Sequence, residues 1–241
     1  MVERLHTHGL EELSSAVRYR EYLLELISPH CGRRILEVGA GLGDFAVQID
    51  GGRTVIATDT DTECVETLRQ RFDGSPNVDV QYLDILNPGE VGVAVDSVVA
   101  INVLEHIEDD VTALKNMGQL LSPQGRVVLF VPAYPALYGP FDKAVGHVRR
   151  YTPRTLRESV EKAGLAVQEL RPVNFIGGIG WWFAVRLAKG TRPRPSLIKI
   201  YDRVLVPIVR FIERRFRPPF GQSLLCVAGF PPTASTGALE R

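Results

Sequence analysis

Two kinds of apolar pattern alternate along this chain. Short, nearly continuous apolar runs predict strands at residues 35–39 (ILEVG), 54–59 (TVIATD), 78–83 (VDVQYL), 95–102 (VDSVVAIN) and 126–131 (RVVLFV). Two further strands are expected at 166–175 and 223–230. Runs with apolar positions three or four apart predict helices. One covers Glu11–Ser28, with Leu13, Val17, Leu23, Leu24 and Ile27 as its stripe. Others fall on DFAVQI, ECVETLRQRF and DDVTALKNMGQLL. Asp109 is placed to cap the last, and Pro123 with Gly125 to stop it. Thr152 is placed to cap a further helix with Pro153 at its first position.

Strands separated by helices make βαβ units, hence a mostly parallel α/β sheet. Strands this uniformly apolar require cover on both faces. The 241 residues suffice for one large domain with a core. We find no internal repeat and no second core, so the expectation is a single domain over 1–241. Within it we expect an N-terminal helical cap (1–32), a helical insertion (176–221) and a flexible tail (231–241).

Composition adds little, because 45% hydrophobic and 23% charged residues with zero net charge are ordinary. Cys31, Cys64 and Cys226 lie far apart, which argues against a zinc site or a disulfide framework and fits a reducing compartment. Acids in MVERLHTHGLEEL stand where a secretion signal needs apolar residues. The apolar stretch VNFIGGIGWWFAV is shorter than the ~20 residues of a membrane span. Together these predict a cytoplasmic protein.

The candidate chemistry begins at ILEVGAGLGDFA. Gly39, Gly41 and Gly43 follow a strand and, with Ala40, form a turn that admits close backbone approach. The spacing is G-x-G-x-G, not the G-x-G-x-x-G of a dinucleotide site. Glu37 precedes it, and a carboxylate there would repel a pyrophosphate but suit a ligand carrying an ammonium and a sulfonium. Asp59, with Thr60 beside it, ends the second strand, where a carboxylate can accept ribose hydroxyls. Asp61 can cap the next helix. Asp84 ends the third strand, placed for an adenine amino group, with Leu83 and Ile85 to pack the ring. These acids converge on the carboxyl edge of the sheet.

LEVGAGLGDF, ATDTD, YLDI, INVLEHIEDD and LLSPQGRVVLFVPA together resemble the class I S-adenosylmethionine (SAM)-dependent methyltransferases over residues 35–133. The resemblance implies a Rossmann-like seven-stranded sheet, helices on both faces, the last strand antiparallel and the helical insertion between strands six and seven. It implies Glu37 at the methionine end of SAM, Asp59 at the ribose, Asp84 at the adenine, and Asn102 and Val103 beside the sulfonium. The cofactor would be SAM and its product S-adenosylhomocysteine (SAH).

Methyl transfer mainly requires an acceptor held in line, and a base helps where the acceptor is a hydroxyl. His147, in GHVRRYT after strand five, is the leading candidate, with Asp142 able to orient its ring. This stretch resembles a GHxRRYT signature found in a subset of these enzymes with varied acceptors. Tyr151 and His106 are further catalytic candidates, although His106 is equally suited to steadying the loop near SAM. Tyr19, Tyr134, Tyr138, Arg149 and Arg150 are candidates for gripping the acceptor. His6 and His8 fall on a potential lid, and His30 reads as structural. Glu105, Glu108 and Asp109 read as solvated loop and cap acids, so we expect no metal.

Charge is unevenly spread. Residues 186–217 hold ten basic side chains and two acids, +8 locally, and the rest of the chain balances it at −8. Polar residues from Lys199 to Arg217 recur at helical spacing on an apolar body, Pro207 should kink or split it, and Trp181 and Trp182 come shortly before. That pattern fits a peripheral membrane contact. It also fits packing on the domain or on a second subunit, while nucleic acid fits poorly. The expectation is a SAM-dependent methyltransferase acting, at oxygen, on a small-molecule or lipid-linked acceptor. The alternatives are a SAM-binding module or a SAM-dependent enzyme catalysing another step, such as cyclisation.

Overall fold

The computed structural model describes residues 16–49, 52–89, 94–187 and 199–232. Expectations for 1–15, including His6 and His8, for much of 186–198, and for the tail beyond 232 lie outside the described residues.

Seven strands form one sheet: β1 (Arg34–Val38), β2 (Thr54–Asp59), β3 (Val78–Tyr82), β4 (Val95–Ile101), β5 (Leu121–Pro132), β6 (Ala166–Val173) and β7 (Ser223–Gly229). Their order is β3-β2-β1-β4-β5-β7-β6. The first five pair in parallel, and β7 inserts antiparallel between β5 and β6. This is the Rossmann-like sheet the resemblance implied. β5 starts earlier than its sequence pattern suggested, and β6 ends at Val173 because Asn174 takes a left-handed backbone (φ 61°).

The helices are α1 (Val17–Ile27), α2 (Thr62–Arg71), α3 (Asp110–Gln119), α4 (Pro140–Ala144), α5 (Pro153–Lys162), α6 (Phe175–Leu187) and α7 (Val206–Glu213). Their caps follow the sequence signals. Asp61 accepts from Glu63 N, Asp109 from Thr112 N, and Thr152 from Thr155 N with Pro153 in the first turn.

Strand alternation divides the core in two. Leu36, Val98, Val127, Leu129 and Cys226 face Leu114, Met117 and Leu156 of α3 and α5. Ile35, Val99, Val128, Phe130 and Leu225 face Ile27 and Leu68 on the other side. Burial of each such side chain contributes ~1.5–3 kcal/mol.

Three expectations are corrected. DFAVQI is not an α-helix but a turn closed by one 3-10 turn at Ala46–Gln48, because the left-handed Gly39, Gly41 and Gly43 (φ 67°, 55° and 79°) keep the chain turning. Val17 is 51% exposed and Tyr22 takes the inward place on α1. Of the kink or split expected at Pro207, the split is not found: the turn before it, Tyr201–Leu205, widens to π geometry, and Pro207 then sits in the first turn of α7, where it removes no needed N–H.

Candidate active site

The loops after β1 to β5 all leave the carboxyl edge of the sheet, and they carry every motif named above. At the first loop Gly41 N donates to Asp59 Oδ2 (2.9 Å), and Ala40 N donates to Thr58 O (2.8 Å). These bonds lock the glycine turn onto the end of β2. A Cβ on Gly39 would come 2.6 Å from Val103 Cγ2, and one on Gly43 would meet Phe72 at 2.6 Å and Leu68 at 2.8 Å. What passes close at these two positions is therefore the protein's own packing. Asn102, left-handed at φ 52°, and Val103 carry β4 over the same turn.

Glu37 is buried, and its Oε2 has no hydrogen-bond partner. Burial, reinforced by the charges of Asp44 and Asp59, pushes its carboxyl up to about 8. A buried carboxylate with an open oxygen is a site made for a cation. Asp59 accepts two backbone N–H groups, from Gly41 and from Asp61 (3.0 Å), which fixes its carboxylate and leaves lone pairs for hydroxyls. Asp84 accepts from Leu86 N (2.9 Å) and Asn87 Nδ2 (3.2 Å), between the buried Leu83 and Ile85. Acid, ribose-height carboxylate and apolar slot fit SAM: Glu37 would hold the ammonium, Asp59 the ribose, and Leu83 with Ile85 the adenine.

The second half of the edge is the loop from Ala133 to Tyr151. His147 Nδ1 lies 2.8 Å from Asp142 Oδ1, and its side chain is 10% exposed. Asp142 also receives Arg150 Nε (2.8 Å), Arg150 Nη2 (3.1 Å) and Gly139 N (2.9 Å). Burial pushes the Asp142 carboxyl up, but the bonds from His147 and Arg150 and the guanidinium charge outweigh it and hold it below its ordinary value. An ionised Asp142 accepts from Nδ1 of His147 and fixes the ring, with Nε2 turned away from it toward Glu105. Tyr138 OH donates to His147 O (2.7 Å), and Tyr134 reaches Pro219 O at 3.5 Å. The rings of His106 and His147 meet edge to face at 4.7 Å.

Arg150, Arg149 and Tyr151 all have partners within the protein. The Arg150 guanidinium is enclosed between Asp142, Ala133 O (3.2 Å) and the Trp181 ring. Arg149 is tied to Asp110 (3.0 Å) and Glu108 O (2.6 Å). Tyr151 is buried with its hydroxyl on Asp110 Oδ2 (2.8 Å), and burial raises its pKa far above any useful range. All three build the loop. Tyr19 sits in a cluster with Tyr22 and Tyr201.

Glu105 overturns another expectation. It is not a solvated loop acid: it is 0% exposed, and neither carboxylate oxygen has a hydrogen-bond partner. Burial pushes it up to about 8. Its Oε1 lies 3.8 Å from His147 Nε2. No sequence signal separates it from Glu108 and Asp109, which are exposed three and four residues on.

A shallow depression lined by Cys31, Gly32, Asp96, Ser122, Pro123, Gln124 and Arg126 lies at the opposite edge of the sheet, away from all these groups.

The family described as "Methyltransferase domain" matches residues 11–170, and the chain belongs to it. Its cofactor is SAM. A Mycolicibacterium smegmatis protein described as a "probable S-adenosylmethionine-dependent methyltransferase" is 29% identical over 170 residues, covering 67% of this chain and 63% of that protein. The chain spans about half to just under two thirds of the length of the curated relatives it matches first. Among solved structures, the methyltransferase complexed with the Trm112 activator of Haloferax volcanii superposes with a TM-score of 0.64 at 16% identity, covering 93% of each chain. The [4+2]-cyclase SpnF superposes at 0.59 and 16% identity, covering 89% of this chain and 81% of its own. At these identities the likeness is one of fold.

Proposed function

We propose that the protein transfers the methyl group of SAM to an oxygen of a small-molecule or lipid-linked acceptor, and that His147 is the side chain that meets the acceptor hydroxyl. The observation that carries this reading is the Asp142–His147 pair: a buried carboxylate fixes the ring at the same strand edge as the cofactor motifs. SAM supplies an activated methyl group when bound. The chain's own residues position: Glu37 and Asp59 hold the donor, and the loop from Ala133 to Tyr151 holds His147 against the acceptor.

The lipid-linked class is favoured by the helical cover. The inner side of α7 packs on α1: Val206 and Val209 meet Tyr22, and Arg210 and Arg214 pair with Glu25. The outer side of the segment from Ile200 to Arg217, which contains α7, presents Ile200, Val204, Ile208, Phe211 (71% exposed) and Phe216 (71%), beside the exposed Arg203, Arg215 and Arg217. An apolar face with a basic rim suits an anionic lipid surface. Among the described residues no helix is long and apolar enough to cross a membrane.

The test is label transfer. The protein is incubated with methyl-labelled SAM and separate lipid and aqueous extracts of the source cells. Alkali-stable, ether-type label in the lipid fraction supports the full reading. Label only in the aqueous fraction leaves an enzyme whose α7 face has another use. Absence of transfer to any fraction, with tight SAH binding, favours a binding module or a cyclase-like step instead.

A further inference from the structure

We propose that Glu105, His106 and His147 form a divalent-cation site at the acceptor edge, with the ion's remaining positions open to an oxygen of the acceptor. The inference rests on the proposed function for its use, and on the geometry of these three residues for its existence.

One ligand atom from each residue can be chosen so that all lie within 4.8 Å of one another. Modest side-chain rotation brings such a set to the ~2.0–2.2 Å that nitrogen and oxygen ligands keep from zinc-like ions. The set is two imidazoles and one carboxylate, which suits Zn²⁺, Fe²⁺, Co²⁺ or Mn²⁺ and not a hard, all-oxygen ion.

Proximity alone would carry little. Two independent features add to it. Glu105 is fully buried with both oxygens unpartnered, so the fold holds an acid at this point without giving it a hydrogen bond. Native proteins rarely leave a buried carboxylate in that state. The second feature is the support behind His147. Its Nδ1 is bonded to Asp142, whose carboxylate is itself held by Arg150 and Gly139 N. A carboxylate behind the far nitrogen of an imidazole is the usual outer shell of a metal-bound histidine, since it fixes the tautomer and raises the basicity of the near nitrogen. Here the near nitrogen, Nε2, is the one facing Glu105, at 3.8 Å.

The chain is folded to bring the three together. Glu105 and His106 lie in the 3-10 turn Leu104–His106 that follows β4, while His147 is on the loop after β5. Val148 N donates to Glu105 O (2.9 Å) and pins the two loops side by side. Three protein ligands leave coordination positions open, as in ions that bind substrate and unlike ions that only seal a fold. With the ion bound, an acceptor oxygen would be held by the ion and His147 would meet it through the ion, in place of the direct contact it makes in the ion-free chain.

The test uses the tag-free full chain, stripped with EDTA and dialysed, then titrated with Co²⁺. Visible absorption and calorimetry report binding. One equivalent per chain is expected, with d–d bands that show nitrogen ligation. Glu105→Gln and His106→Gln should each weaken Co²⁺ binding at least tenfold while SAH affinity stays within twofold, which also shows the variants are folded. The proposal is overturned if the wild-type chain shows no saturable binding near one equivalent, or if Glu105→Gln binds Co²⁺ as the wild type does. Because the readout is the ion and not methyl transfer, a failed titration leaves the methyltransferase reading standing, and an acceptor search that fails leaves the cation site standing.

Discussion

The two halves of the carboxyl edge are built differently. The half proposed for the donor, after β1, β2 and β3, is made from short motifs: an acid, three glycines and two further acids, each within a few residues of a strand end. Its internal bonds join neighbouring loops of parallel strands, such as Gly41 N to Asp59. The acceptor half depends on contacts between distant segments. Asp142 binds Arg150 and His147, Trp181 from α6 donates to Leu137 O (3.0 Å), and Glu105 is buried by the loop that carries His147. A cofactor that is always the same can be met by a local, repeatable device. A half held by contacts between distant segments can be rebuilt without touching the donor half.

The largest effect expected from breaking this division is on stability. Asp142→Ala strands the buried Arg150 guanidinium, and removing one partner of a buried pair costs ~3–5 kcal/mol. Chemical denaturation should show that loss. If stability changes by less than about 1 kcal/mol, Arg150 has found another partner and the loop is not organised around Asp142.

Glu37→Gln attacks the donor half. A hydrogen bond to a charged group contributes ~1.5–3 kcal/mol, so SAH affinity should fall roughly 10- to 100-fold, with the fold intact. The same residue sets a pH dependence. Burial and the neighbouring Asp44 and Asp59 raise its folded carboxyl to about 8, against the partial relief of Arg71. Between ~4.3, the unfolded value, and about 8, the unfolded chain releases a proton that the folded chain keeps. Ligand-free stability should therefore fall as pH rises through that window, and because Glu105 titrates over the same window Glu37→Gln should reduce the slope without abolishing it. A slope unchanged in the variant would place the titration elsewhere.

The smallest effect lies in the cover. Tyr22 OH donates to Glu213 Oε2 (2.5 Å) and accepts from Asn174 N (3.1 Å), and Glu213 Oε1 accepts from Phe175 N (2.8 Å). This links α1, the start of α6 and α7. Tyr22→Phe should cost ~1–3 kcal/mol in thermal or chemical unfolding and leave SAH affinity unchanged. A change in SAH affinity would mean that the cover and the donor half are coupled.

Legibility in the sequence followed the same division. Strand positions, the mostly parallel sheet and the caps at Asp61, Asp109 and Thr152 were readable because each rests on a local pattern. The 3-10 turn in DFAVQI was not, since its helical periodicity is overridden by three left-handed glycines. Arg149 and Arg150 read as a grip for the acceptor and Tyr151 as a catalytic candidate because spacing cannot show that Asp142 and Asp110 lie beside them. Glu105 could not be told from Glu108, because burial is a tertiary property. Trp181 and Trp182 looked alike, yet Trp181 packs its indole on Phe141 and Arg150 while Trp182 is exposed.

The separation of donor and acceptor halves is tested most directly by His147→Ala, measured for SAH affinity by calorimetry and for turnover with the labelled acceptor fraction. Turnover should fall by at least a hundredfold while SAH affinity stays within about twofold, in line with the 10²–10⁴-fold contribution of a positioned acid or base. Turnover preserved in the variant, or SAH affinity lost with it, would contradict the assignment of His147 to the acceptor half.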